Sequence, residues 1–348
     1  MATGGGAPRT AVDETSRDGA FVRTAAGFRS SVGDPGFEPA AGRYHLYISY
    51  ACPWANRCLA VIYLKGLEDA VGVSVVHPTW QRTRPGDAGD AHTGWAFRAP
   101  GDPPISSSTG HGSFECDGCV PDPVLGAKFV RDIYEQAGDT TGKYSVPVLY
   151  DKQRRTIVNN ESSEIMRQLN SAFNAFAKRP DLDLYPPHLR ADIDAANEWI
   201  YPSINNGVYR CGFAQKQEPY EVAFKELFAA LDRCEEVLSR QRYIAGPALT
   251  EADVRLYMTL IRFDPVYVVY FKTNARFIRD YPNLRGYVRD VHSAHGGAVG
   301  RSINMRHIKV HYFSSHPALN PYAIVPVGGE AWWEEPHDRA ARFGGGAA

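Results

Sequence analysis

A cysteine followed by proline, where a run of strand-forming residues gives way to an apolar segment, constrains this chain more than any other feature. Tyr44-His45-Leu46-Tyr47-Ile48-Ser49-Tyr50 precedes Cys52-Pro53-Trp54-Ala55, and the apolar segment closes at Gly66. The pattern predicts a strand turning directly into a helix, with Pro53 at the first helical position, where its missing N–H costs nothing. First-turn amides and the helix dipole stabilise an anion at that spot. A thiolate so placed can have its pKa lowered from ~8.5 into the range ~3.5–7.5. Cys52 is therefore a candidate nucleophile; the competing reading is a small buried hydrophobe, the usual fate of a free cysteine. Position 55 is Ala, so no Cys-x-x-Cys pair exists and no local thiol resolves an adduct. Cys58, in the helix body, reads as core. A lone reactive thiol is recycled by an outside thiol through a mixed disulfide, and glutathione is the expected one.

A second strand at Val71–Val76 gives a β-α-β start. Residues 78–124 are rich in Gly, Pro, Ser and Asp, with Trp80, Trp95 and Phe97 interspersed. A loop of that length is functional or disordered, and the aromatics favour a packed, functional insert. Leu125–Ala137 has helical spacing. Ser145–Tyr150 and Thr156–Val158 read as a hairpin, with Pro147 at a position that only a strand start tolerates and a candidate for a cis peptide. Asn159–Glu164 begins a further helix with good capping residues. The sum, βαβ followed by αββα, is a thioredoxin-like domain over 41–170, preceded by a flexible segment over 1–40. Beyond a Pro-marked linker the sequence is helical at about 188–206, 218–241, 250–263 and 282–293, an all-α domain extending to 325. Thr250 and Asp253 form a capping-box-like start, which gives Asp253 a structural role. In the tail, 326–348, Trp332 and Trp333 are expected to pack back.

The chain has 348 residues, comfortable for two domains. A net charge of −1 offers no electrostatic reason for nucleic acid or anionic membrane as partner. No apolar stretch approaches the ~18–20 residues of a membrane span, and the first twenty residues lack the apolar region of a signal peptide. Six scattered cysteines suit a reduced, cytoplasmic protein better than a disulfide framework. The histidines show no metal-like spacing, so no metal is assigned.

Several strings are more specific. Tyr47-Ile48-Ser49-Tyr50-Ala51-Cys52-Pro53-Trp54-Ala55, Asn160-Glu161-Ser162, Asn206-Gly207-Val208-Tyr209, Arg262-Phe263-Asp264-Pro265-Val266-Tyr267 and His311-Tyr312-Phe313 resemble the xi-class glutathione transferases, the glutathionyl-hydroquinone reductases. The resemblance runs from about 40 to 325 and implies the glutathione transferase fold, a homodimer, and a reduction instead of a conjugation. In such a reaction the cysteine takes glutathione from a glutathionyl-hydroquinone as a mixed disulfide, hydroquinone leaves, and a second glutathione releases the adduct.

In that frame Val146 offers its backbone to the cysteinyl part of glutathione as an added strand. Ser162 and the amides of its helix start suit the γ-glutamyl carboxylate, and Glu161 suits the ammonium, although both are also ordinary capping residues. Trp95 matches a family tryptophan at the glutathione site, with core packing as its rival, and Lys143 is a weaker partner for the glycyl carboxylate. Tyr209, Tyr267 and Tyr312 correspond to tyrosines that converge on the hydroquinone, where phenol donors stabilise a ring oxygen as charge develops. Tyr209 and Tyr312 are the two assigned to catalysis with Cys52. Cys116-Asp117-Gly118-Cys119, in the insert, departs from the family's pattern; two reduced, partly exposed thiols without a catalytic role are expected there, with a regulatory disulfide or one side of a metal site as the rival readings. The alternatives are an omega-like thiol transferase or dehydroascorbate reductase, which needs Cys52 but not three tyrosines, a non-catalytic ligand-binding protein of this fold, and use of another low-molecular-weight thiol.

Overall fold

A computed structural model describes residues 8–344. These form two compact units. The first contains Thr24–Pro180 and Asn304–Pro326 with the start of the chain up to Asp13; the second contains Glu14–Arg23, Asp181–Ile303 and the chain from Val327.

In the first unit the order is β1 (Tyr44–Ile48), α1 (Pro53–Lys65), β2 (Gly72–Val75), a two-residue hairpin of β3 (Gln81–Arg82) and β4 (Thr93–Gly94), α2 (Val130–Gln136), β5 (Val148–Asp151), β6 (Thr156–Asn159) and α3 (Ser162–Ser171). The main sheet runs β2-β1-β5-β6, with β1 parallel to β2 and antiparallel to β5, and β5 antiparallel to β6. Tyr47 pairs with Ser74 on one side and Val148 on the other. All five residues of β1 are buried, as expected of a central strand covered on both faces. Helix α1 starts at Pro53 and stops at Gly66, whose φ of +66° is open to glycine; a Cβ there would meet Lys178 at 2.7 Å.

Three differences from the sequence expectations have local causes. Helix α2 begins at Val130, not Leu125, because the Asp122 carboxylate takes the N–H groups of Val124, Leu125 and Ala127 and folds that stretch into a turn. Strand β5 begins at Val148, after a cis Val146–Pro147 peptide. The segment read as a flexible tail carries regular contacts: Arg29 bridges to Asn159 and covers the edge strand β6, and the Phe28 N–H donates to Asn160 Oδ1 at 3.0 Å.

The second unit is helical: α4 (Arg190–Ile200), α5 (Gly207–Gly212), α6 (Gln217–Arg240), α7 (Glu251–Arg262) and a helix over Pro282–Gly297. Two π-helical turns interrupt it, at Tyr201–Asn205 and Phe263–Tyr267. Each contains a proline, Pro202 or Pro265, which removes a donor from the helical ladder and widens the turn. Asp253 has the structural role expected of it: its carboxylate accepts from the Thr250 and Ile244 N–H groups and from Tyr287 Oη. Trp332 and Trp333 are buried.

The helical domain expected to reach 325 is cut at Ile303. The helix Met305–Ser314, which carries Tyr312, belongs to the first unit. It is tied there to the long insert: His311 Nδ1 donates to the Pro78 carbonyl at 2.8 Å, and the Trp80 N–H donates to Ser315 Oγ at 3.0 Å.

Candidate active site

Cys52 is the N-cap of α1, with extended backbone (φ −78°, ψ 114°) and no capping hydrogen bond from its side chain. Its Sγ lies 3.4 Å from the Val146 carbonyl oxygen, which accepts the S–H. The turn before α1 is thus set against the residue that precedes the cis proline. Of the six free cysteines, Cys52 is half-buried and the other five are buried. Burial pushes the Cys119 and Cys211 thiols up to about 12 and raises those of Cys58, Cys116 and Cys234. A thiol held that high is neutral at pH 7 and is a poor nucleophile. Cys58 acts as core, its Sγ hydrogen-bonded to the Ser162 carbonyl at 3.4 Å.

The start of α3 packs beside α1. Glu161 is its N-cap, and its Oε1 accepts from the Ser163 N–H at 3.1 Å and Ser163 Oγ at 2.8 Å. The Glu161 N–H is itself held by Asn159 Oδ1 at 2.7 Å. Burial alone would raise the Glu161 carboxyl, but the Arg57 guanidinium and the Ser163 hydrogen bonds outweigh it, and the group sits below its ordinary range. Arg57, a residue the sequence reading passed over, donates from Nη2 to Ser162 Oγ at 2.6 Å. A signal for it was available: a cationic side chain five residues after the cysteine, in a largely apolar helix, has to be buried against something polar.

Trp95 lies in an aromatic cluster. It stacks on His311 with ring centres 4.5 Å apart and meets Trp80 edge-on at 5.5 Å. Since a carbonyl only accepts, the His311 contact to Pro78 places the imidazole proton on Nδ1. Tyr312 follows, its ring 5.3 Å from that of His311, and is buried. Lys143 is turned toward the N-terminal segment, its ammonium donating to the Thr24 carbonyl and hydroxyl at 3.2 and 3.0 Å.

In the second unit Tyr209, on α5, and Tyr267, at the end of a π-turn, lie 6.2 Å apart. Both are buried, and Tyr267 is stacked parallel to Phe271 at 5.3 Å. The segment Glu14–Arg23 reaches the same cluster. Phe21 packs on Phe213 at 5.4 Å, and the Arg23 guanidinium stands 5.0 Å over the Tyr209 ring, a cation–π contact that spacing along the chain does not announce.

One expectation is corrected. Cys116 and Cys119 are not partly exposed: each is 1% exposed, in a turn closed by the Cys119 N–H on the Cys116 carbonyl around Gly118 (φ +76°). Among the described residues no group of three or more His, Cys, Asp or Glu side chains is placed to hold a metal ion.

Residues 51–172 match the glutathione S-transferase N-terminal domain family and residues 215–290 the C-terminal domain family. The glutathionyl-hydroquinone reductase PcpF of Sphingobium chlorophenolicum is 44% identical over 317 residues, 91% of this chain and 92% of its own length. The glutathionyl-hydroquinone reductase YqjG of Escherichia coli is 41% identical over 342 residues, 95% and 96% of the two chains. Its glutathione-bound structure superposes with a TM-score of 0.78, covering 94% of this chain and 96% of that one at 40% identity. The xi glutathione transferase of Phanerochaete chrysosporium superposes with a TM-score of 0.79 at 45% identity, covering 90% of this chain and 98% of that one.

Proposed function

The chain belongs to the glutathione S-transferase family, in its xi class, and on that premise we propose that it reduces glutathionyl-hydroquinones to hydroquinones through a Cys52–glutathione mixed disulfide. The observation that carries the residue assignment is the state of the thiols: Cys52 alone is half-buried, at a helix start, while the other five are buried.

In the first step the Cys52 thiolate attacks the sulfur of the conjugate. The carbon–sulfur bond breaks, its electron pair returns to the ring, and the S–S bond of the adduct forms. The ring takes up one proton and leaves as hydroquinone. Cleavage is easier from the ketone tautomer, in which the electrons flow onto the ring oxygen, and phenol donors from Tyr209, Tyr267 and Tyr312 are assigned to that oxygen. In the second step the thiolate of another glutathione attacks the adduct, oxidised glutathione leaves, and the Cys52 thiolate returns. Val146, Glu161 and Ser162 hold the glutathionyl group, with Trp95 as a wall; Lys143 reaches the glycyl end only by giving up its bonds to Thr24.

Glutathione is a co-substrate, and no metal enters the scheme. The reading extends to a homodimer and a cytoplasmic location. The location is supported by the six free thiols. The test is turnover of a glutathionyl-hydroquinone with and without excess glutathione, with dehydroascorbate and hydroxyethyl disulfide in parallel. Glutathione-dependent release of hydroquinone at rates well above those on the other two is expected; comparable rates on all three would favour an omega-like thiol transferase.

A further inference from the structure

Arg57 is 2% exposed, and little of its hydrogen-bonding capacity is met. Nη2 serves Ser162 Oγ at 2.6 Å and lies 3.6 Å from Glu161 Oε1, and the guanidinium carbon stands 5.0 Å from the centre of the Trp54 ring. Nε and Nη1 are buried with no hydrogen-bond partner among the described residues. Buried charged donors without partners are unfavourable, and an apolar side chain of similar volume would fill the space without that cost. Anchoring of α3 does not require Arg57 either, because Cys58 already bonds the Ser162 carbonyl from the same helix. The guanidinium is therefore to be understood by what it does to its two neighbours.

A serine hydroxyl has one proton to give and two lone pairs to receive. Arg57 occupies a lone pair of Ser162, so the hydroxyl proton points elsewhere, and no acceptor for it is found among the described residues. A hydroxyl that accepts from a cation is also a stronger donor, since bonds in a chain polarise one another. The hydrogen bonds and ion pair of Glu161 all use Oε1, so Oε2 is the atom left for an incoming donor. One cation thus sets a donor and an acceptor side by side at the start of α3, the arrangement that reads an α-amino acid zwitterion instead of a simple anion.

We propose that Arg57 is a positioning residue for the γ-glutamyl head of glutathione, acting through the Ser162 hydroxyl on the α-carboxylate and through Glu161 on the α-ammonium. This rests on the glutathione reading above and adds to it a residue that touches no substrate atom. It follows that Arg57 sets preference among thiols: those lacking the γ-glutamyl head gain nothing from it.

The test uses the full-length enzyme and the variants Arg57→Gln, Arg57→Lys, Ser162→Ala and the Arg57→Gln, Ser162→Ala double. Calorimetry gives the affinity for S-methylglutathione and for S-methylcysteinylglycine, which lacks the head; steady-state assays give KM and kcat for a glutathionyl-hydroquinone. Wild type is expected to prefer S-methylglutathione. Arg57→Gln should weaken that probe about tenfold, the scale of one hydrogen bond to a charged group, and leave the shorter one unchanged. KM should rise with kcat nearly constant, Arg57→Lys should recover part of the loss, and the double variant should be no weaker than the worse single. Equal losses on both probes, or an unchanged affinity for S-methylglutathione, would overturn the assignment. If the Arg57 variants do not fold, Ser162→Ala decides, since an undiminished preference in that variant overturns it as well. A wild type that binds both probes equally removes the γ-glutamyl site itself and with it the role of Arg57. A preference that survives only the Arg57 substitutions removes Arg57 alone.

Discussion

The starts of α1 and α3 are both helix N-termini of the first unit, and they are finished in opposite ways. At α1 the capping residue is a cysteine that makes no capping bond, followed by a proline. The positive end of that helix is left for whatever charge the sulfur carries. At α3 the capping residue is a glutamate whose carboxylate binds the Ser163 N–H and hydroxyl and lies beside Arg57. A helix start whose capping side chain makes no capping bond leaves the helix dipole to favour an ionised nucleophile there. A heavily capped start fixes side chains in place, which suits recognition. The difference teaches that reactivity and binding draw on the same helix-end electrostatics, divided by how much of it the protein itself consumes.

The comparison breaks most sharply at Cys52. Cys52→Ala should abolish reductase activity while glutathione binding and the fold persist, and mass spectrometry of wild type treated with oxidised glutathione should show a single adduct on Cys52. An adduct mainly on Cys58 would mean that the under-capped start has no special chemistry. Next in size are the tyrosines. Phe variants of Tyr209, Tyr267 and Tyr312 should lose rate on glutathionyl-hydroquinones and retain exchange with small disulfides. Loss of one oxyanion donor costs roughly 10²–10³ in rate, and donors that act together should each lose less. Parallel losses on both substrate types would return these residues to the core.

A smaller effect sharpens the α3 side. The Glu161 carboxyl is lower in the folded chain than its ordinary value of 4.5, so its ionised form adds stability above that pH. This contribution fades as pH falls from 4.5 through the folded value. The melting temperature of wild type should therefore exceed that of Glu161→Gln at neutral pH, and the gap should close on acidification below 4.5; a gap independent of pH would show that the carboxylate is not a working cap. The smallest effect belongs to the insert. The double variant Cys116→Ser, Cys119→Ser should keep near-normal turnover in reducing buffer, because burial holds both thiols neutral; loss of turnover would give that pair a role that Cys52 does not share.

Much of the first unit is legible locally. The strand before Cys52, the proline after it, the glycine at the end of α1 and the Asn159–Glu164 start of α3 are short-range signals, each with its own steric or capping cause, and the structure carries all of them. The boundary of α2 was less legible, because it depends on Asp122 reaching three amides further along the chain. Arg57 was missed for a related reason. Its partner Ser162 lies 105 residues away, and nothing within α1 says which buried surface is polar.

The amino-acid sequence determined the β-α-β start and the α3 start of the first unit, the long helices of the second and the family strings, since these depend on residues adjacent along the chain; the β3–β4 hairpin, α5 and the helix Met305–Ser314 were not legible in it. Tertiary structure decided which side chains share a site. It set the Val146 carbonyl against Cys52 Sγ, put Tyr312 in the unit of Cys52 instead of the helical one, stacked Trp95 on His311, and brought Phe21 and Arg23 from a segment read as a tail onto the cluster around Tyr209. Those pairings span tens to hundreds of residues. They form because buried donors, charges and rings must find partners once water is excluded, and which partner is nearest is a property of the packed chain.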